Sequence, residues 1–432
     1  MKGNFQIIII VVFVALAIFG VLVFSGAIPI GKTDTPGGAG TVVLWGTESS
    51  QGMGQIVQDF NNANQSFVVQ YVQKSESTFD QDLLEALASG TGPDMVILPD
   101  SLAYKYSNKL YTIPYQSYPL ASFTGNFVSA SNVFLNSTGT LAFPLAVDPL
   151  VMYYNRSILD ANGVVYPPAT WDDITTSVPT LTIKDDANKI SKSAVALGQY
   201  SNVTHAKDIL SAMFMQTGNP IVANKSGSFA STLTDVNSGQ TPLSSVLQFY
   251  TNFADPNSSA YSWNKSFPNS IDAFSAENLA FYFGYASELP SLVNKNPNEN
   301  FLAAPFPQIK GANFKSTFAH ALGVSVLSSS KNFNTALTAA GLMATTDFAS
   351  QFANALGVAP ARRDLLAVTP PGLYGPVFYK SALYAKNWPD PSPADTNNIF
   401  SSMVEQVLAN NSSVDGAVAD ASSKLGLLLL RK

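Results

Sequence analysis

Between Thr41 and Leu98, strand-like and helix-like patterns alternate, and this alternation constrains the fold more than any other feature of the chain. Thr41 to Trp45 is a short β-rich run. After a polar, glycine-containing loop from Gly46 to Gly54, Gln55, Ile56, Val57, Asp59 and Phe60 take a helical pattern. Phe67 to Val72 alternates as a strand does. Ser77 and Thr78 then open a helix in which Phe79, Leu83 and Leu87 recur at every fourth residue, and Gly90 closes it. Pro93 to Leu98 is a further strand. Strands separated by helices build a parallel α/β sheet. Ligands of such open sheets bind beyond the carboxyl ends of the strands, which puts Trp45 to Ser50 and then Asp100, Ser101 and Tyr104 beside the expected cleft. Trp45 is equally well explained as core.

The stretch from Gly139 to Ile174 organises the remainder. A strand runs to a polar break at Asp148 and Pro149, followed by a second apolar run, Leu150 to Tyr154, capped by Asn155 and Arg156. Pro149 has no N–H to give to a ladder, so the expectation is that no continuous strand passes through it and that Asp148 marks a seam. A short helical segment ends at Gly163. Pro167 and Pro168 then precede Thr170, an N-cap for a helix with Asp172 and Asp173 in its first turn.

These pieces resemble the crossover region of the extracellular solute-binding proteins of bacterial ABC importers, family 1, the maltose-binding-protein-like group. The resemblance rests on Phe143-Pro144, Asp148, Tyr153-Tyr154-Asn155 and Pro167-Pro168-Ala169-Thr170-Trp171-Asp172-Asp173. Its most specific part is the run Leu84, Ala86, Leu87, Ala88, Ser89, Gly90, Gly92, Pro93, Asp94, Met95, Val96. Further on, Phe274 to Ala286 is similar to the family's strand that ends in a glycine and a ligand-facing aromatic, here Gly284 and Tyr285; Glu277-Asn278 departs from the common Gly-Lys. The family's return segment matches Gly357 to Arg362.

The resemblance implies a periplasmic-binding-protein-like α/β fold of two lobes around a cleft, 41–147 with 319–361 and 148–318 with 362–432. Three hinge crossings are expected, near Asp148, Ile309 to Phe318, and Gly357 to Ala361. It further implies capture of a carbohydrate by hinge closure and delivery to ABC transporter permease subunits, by a monomer without cofactor. The ligand-binding residues it implies are Trp45, Glu48, Asp100, Asp148, Tyr200, Tyr285 and Trp388. Aromatic plates and carboxylate acceptors suit the C–H faces and hydroxyl edges of a sugar, although tyrosines and tryptophans are also common in cores.

Composition narrows the alternatives. The chain has 432 residues, more than one ordinary core accommodates. Only 12% of residues are charged and the net charge is −6 without a basic block, which argues against nucleic acid. There is no cysteine, which excludes disulfides, thiol catalysis and a lipid-modified cysteine. The two histidines, His205 and His320, cannot form a zinc site by themselves. Phe5 to Phe24 is apolar enough to cross a membrane, with Lys2 before it. Residues 1–30 are therefore expected to be a transmembrane anchor, with a cleaved signal peptide ending near Ser25-Gly26-Ala27 as the rival; residues 31–40 are a tether.

From Asn219 to Thr241, clusters of Asn, Ser and Gly are expected to be loops. Helices are expected near Ala206 to Gly218, Leu243 to Phe253 and Thr335 to Thr345, with a strand from His320 to Leu327. The runner-up functions are a membrane-anchored glycoside-active enzyme, since Glu48, Asp100, Asp148 and Glu277 offer carboxylates, and a surface adhesion protein. No spacing fixes a catalytic pair, and no nucleophile elbow, P-loop or HExxH occurs.

Overall fold

A computed structural model describes residues 40–430 apart from 187–188, 226, 237–240 and 299. The expected membrane segment at 1–30 and nearly all of the tether lie outside the described residues; among those described, no helix is long and apolar enough to cross a membrane.

The first strands form as their patterns require. β1 (Gly40–Gly46) pairs in parallel with β2 (Phe67–Gln73) and with β3 (Met95–Pro99). On β3, Met95 and Ile97 point into one core while Val96 and Leu98 point into another, the two-residue period of a strand covered on both faces. The intervening helix Phe79–Ser89 ends at Gly90, whose φ of 69° places its N–H on the carbonyls of Ala86 and Leu87. A small ladder joins β4 (Ile113–Pro114) to β5 (Gly139–Thr140).

β6 (Phe143–Asn155) runs unbroken through Pro149, against the expectation of a break. Its first part pairs with β13 (Thr317–Val326) and β14 (Ala359–Pro360); its second part pairs with β11 (Leu279–Tyr285) and β12 (Phe301–Ala304). Pro149 pairs with Ala319 of β13, and Leu150 is already opposite Tyr285 of β11, so the missing N–H falls where the strand changes partners. The sheet is completed by β7 (Ile183–Lys184) against β8 (Ile190–Val195), by β8 against β11, and by β15 (Ala385–Lys386) against β13. The resulting order is β2-β1-β3-β13-β6-β11-β8-β7, with β12, β14 and β15 off the path. Where loops were expected after Asn219, a hairpin forms instead from β9 (Val222–Lys225) and β10 (Ser228–Ser231). Its Phe229 packs on Tyr104 at 5.9 Å, so a tertiary contact anchors a strand pair of otherwise polar composition.

The apolar interior changes allegiance at the strand crossing. Val147 and Ala319 belong to a core built on the β1–β3 side, whereas Leu150 and Phe318 belong to the core of the β11 side. On the latter side, Thr170 and Asp173 form a reciprocal capping box at the helix Trp171–Leu181, as the Thr-Trp-Asp-Asp run predicts.

Candidate functional site

Asp148 and His320 are opposite one another in the β6–β13 ladder, at the crossing. Around them the fold gathers side chains from further segments. Asp100 opens the helix that follows β3; Asp208 lies in the first turn of the helix Ala206–Gln216 and His205 just before it. Tyr285 ends β11, and Glu288 lies in the turn beyond it.

Asp100 is buried but fully engaged. Both its carboxylate oxygens lie 3.2 Å from His320 Nδ1; Ala321 N–H donates to Oδ1 at 3.0 Å and Asn387 Nδ2 to Oδ2 at 2.9 Å. Burial alone would raise its carboxyl, but His320 and these donors hold it below the usual carboxylate value. His320 shows the converse balance: burial pulls the imidazole down, while Asp100, Asp208 and Asp148 more than offset this and raise it to about 9. Its side chain remains 42% exposed, so this charge faces water. Asp148 accepts the Ser287 N–H at 3.1 Å; even so, burial pushes its carboxyl up to about 6, with Glu288 adding to the rise.

Glu288 binds His205 Nε2 at 2.5 Å and accepts from the Tyr282 hydroxyl at 2.8 Å and the Tyr285 N–H at 3.3 Å. His205 adopts a φ of +62°, in the left-handed region that an L-residue occupies at some cost. Gly284 has no room for a Cβ, because the Glu288 carboxylate and the Tyr282 ring fill that position. The Tyr285 ring packs against the His205 ring at 4.7 Å and the His320 ring at 4.8 Å. Its hydroxyl and Asp208 Oδ1 are both buried and complete no hydrogen bond, although Asp208 lies beside that hydroxyl. The cluster thus holds a buried aromatic ring among four carboxylates, of which Asp148 lies on β6, the strand that both sides of the sheet share.

Of the residues singled out from the sequence, Asp100, Asp148 and Tyr285 meet in this cluster. Trp45 and Glu48 lie together at the end of β1. The Lys74 ammonium sits 3.7 Å over the Trp45 ring, and Glu48 is buried, its carbonyl and carboxylate both accepting from the Tyr71 hydroxyl. Burial pushes the Glu48 carboxyl up. Tyr200 is buried and donates to Asn397 Oδ1 at 2.8 Å. Trp388 is 3% exposed, stacks on Phe400 and donates to Ser211 Oγ at 3.2 Å; its neighbour Asn387, and not its own ring, reaches Asp100. His205, Asp208, His320 and Glu288 join the site without any sequence pattern that marks them as site residues. The one hint in the sequence is that a chain with two histidines places both here. A separate groove of about 480 Å³, lined by Tyr104, Phe229 and Leu429 among others, contains none of the cluster residues.

The sequence profile of the bacterial extracellular solute-binding protein family matches residues 55–374. The chain belongs to that family. Solved structures of like fold include a cyclo/maltodextrin-binding protein complexed with maltotetraose, with a TM-score of 0.70 at 15% identity over 92% of this chain and 99% of that one. Another is an ABC transporter solute-binding protein from Thermotoga lettingae bound with α-D-tagatose, with a TM-score of 0.64 at 17% identity over 90% and 100% of the two chains. At such identities the likeness is one of fold, and it establishes a periplasmic-binding-protein-like α/β architecture for this family member. In sequence, a putative binding protein of Brucella abortus (strain 2308) is 26% identical over 98 residues, which are 22% of this chain and 23% of that protein. The match thus spans less than a quarter of the curated relative's length.

Proposed function

We propose that this extracellular solute-binding protein captures a carbohydrate between two lobes, 41–147 with 319–361 and 148–318 with 362–432, and that the closed form is what an ABC importer's membrane subunits recognise. The observation that carries this reading is the cluster at the crossing, where Asp100 and His320 of the first of these lobes meet the Tyr285 ring, Asp148 and Asp208 of the second. A sugar bridging those segments favours the closed arrangement by its differential contacts. Relatives of like fold solved with maltotetraose and with tagatose support a sugar as the ligand. The role is binding without turnover, in keeping with the solute-binding family to which the chain belongs.

The apolar run Phe5 to Phe24 further supports an uncleaved membrane anchor holding the lobes outside the cytoplasm. Membrane fractionation with N-terminal sequencing tests it, and a soluble mature chain starting near Ile28 would overturn it. The carbohydrate reading is tested by a thermal-shift screen of residues 41–432 against sugars, oligosaccharides, polyols and peptides, because a ligand that binds only the folded state raises the melting temperature. A shift with peptides alone would refute it, and so would release of many equivalents of hydrolysed product per protein.

A further inference from the structure

The cluster carries more negative charge than its own cations neutralise. Four carboxylates, Asp100, Asp148, Asp208 and Glu288, face two imidazoles, His205 and His320. Glu288 is taken up by His205 and by the tyrosine donors, and Asp100 by His320 and Asn387. Asp208 is less well supplied, with the Tyr285 hydroxyl beside it and a distant ion pair to His320. His320 Nε2 lies 3.9 Å from its Oδ2, beyond a hydrogen bond, because the imidazole is drawn to Asp100 by its other nitrogen. Lys207, the adjacent residue, turns away to Asp390 at 2.8 Å. Among the described residues, no lysine or arginine forms an ion pair with any of the four carboxylates.

Asp208 is 8% exposed and its Oδ1 completes no hydrogen bond; the same holds for the Tyr285 hydroxyl beside it, on a residue 4% exposed. The donor at hand for this buried carboxylate is the neutral Tyr285 hydroxyl, out of good hydrogen-bond geometry; an under-supplied buried charge is costly to the protein, and a bound group that supplies a well-placed donor removes that cost. A neutral hydroxyl supplies the hydrogen bond alone. A protonated amine supplies the hydrogen bond and the missing positive charge, and charge-assisted bonds are the stronger ones. We infer that the cluster at the crossing prefers a saccharide that carries a protonated amine, with Asp208 the residue that sets this preference. The inference rests on the carbohydrate reading above and narrows its ligand class.

The test compares sugars that differ only in amine for hydroxyl: glucosamine with glucose, galactosamine with galactose, and the β-1,4-linked glucosamine tetramer with cellotetraose. Each is titrated calorimetrically into residues 41–432, with maltotetraose and N-acetylglucosamine as uncharged references. The expected result is that in at least one pair the amine sugar binds about tenfold tighter or more, the scale of one charge-assisted hydrogen bond. In Asp208→Asn that ratio falls close to one. Asp208→Ser provides the same reading should the asparagine variant not fold. If no amine exceeds its hydroxyl partner while uncharged sugars bind, the inference is wrong and the carbohydrate reading stands. A ratio unchanged in the Asp208 variants also overturns it. Failure of every sugar to bind removes both.

Discussion

His320 and Asp148 are register partners across β13 and β6, and the fold makes both hold their protons more tightly than free side chains do. The cause differs for each: Asp148 resists ionising because it is desolvated and faces Glu288, whereas His320 resists losing its proton because carboxylates surround it.

The sign of the pH dependence follows. A group whose folded value exceeds its unfolded one stabilises the fold below the unfolded value and loses that contribution as pH rises through the folded value. For His320 the window runs from 6.5 to about 9. The melting temperature of the unliganded protein is expected to fall across that window, and to fall less in His320→Gln. Equal slopes in the two proteins would show that His320 titrates unperturbed. For Asp148 the corresponding loss lies between 3.8 and about 6.

Asp148→Ala removes a carboxylate that a sugar hydroxyl could use, and is expected to weaken carbohydrate affinity by about tenfold to a hundredfold, or ~1.5 to 3 kcal/mol. Its cost to the fold is limited to the hydrogen bond from the Ser287 N–H, about 1 kcal/mol. Calorimetric titration beside thermal melting separates the two. A large drop in melting temperature with unchanged affinity would make Asp148 a cap for the turn after β11 and nothing more.

Tyr285→Phe keeps the ring between the two imidazoles and deletes a hydroxyl that completes no hydrogen bond in the fold. Stability should stay within about 1 kcal/mol of the parent while ligand affinity falls. Tyr285→Ala, in contrast, opens a hole in the core and should cost about 3 to 5 kcal/mol in denaturant unfolding. If Tyr285→Phe binds sugar as tightly as the parent, the hydroxyl plays no part in recognition.

At the helix Trp171–Leu181, Thr170→Ala breaks the capping box with Asp173. A loss of about 1 kcal/mol is expected from the urea midpoint at constant slope, with no change in ligand affinity. A neutral result would mean that the Asp173 bonds to the backbone of Ala169 and Thr170 suffice.

The elements that local chemistry dictates are legible in the sequence alone. The Thr170 cap, the Gly90 stop and the strands of the β1–β3 side follow from patterns within a dozen residues. The break expected at Pro149 does not occur, because a missing N–H matters only where a ladder asks for it, and there β6 is exchanging β13 for β11. The hairpin β9–β10 leaves no local signature, because Phe229 finds its partner, Tyr104, far away in the chain. Distance along the chain also hides half of the site. Asp208 and Glu288 resemble any surface acid in sequence, and only the meeting of β6, β11, β13 and the helix Ala206–Gln216 shows what they face. Trp388 illustrates the opposite hazard, since a buried tryptophan and a sugar-stacking one look alike until Phe400 is seen against its ring.

Because β6 serves as a central strand for both sides of the sheet, and β13 runs beside it through the crossing, neither side is a separable module. Excising one side would strip the other of an inner strand and leave open hydrogen-bonding edges, the kind of surface that recruits foreign strands. The chain therefore should melt in one cooperative step, and sugar specificity in this architecture should be transplanted by exchanging side chains at the crossing, since exchanging halves would break the sheet itself.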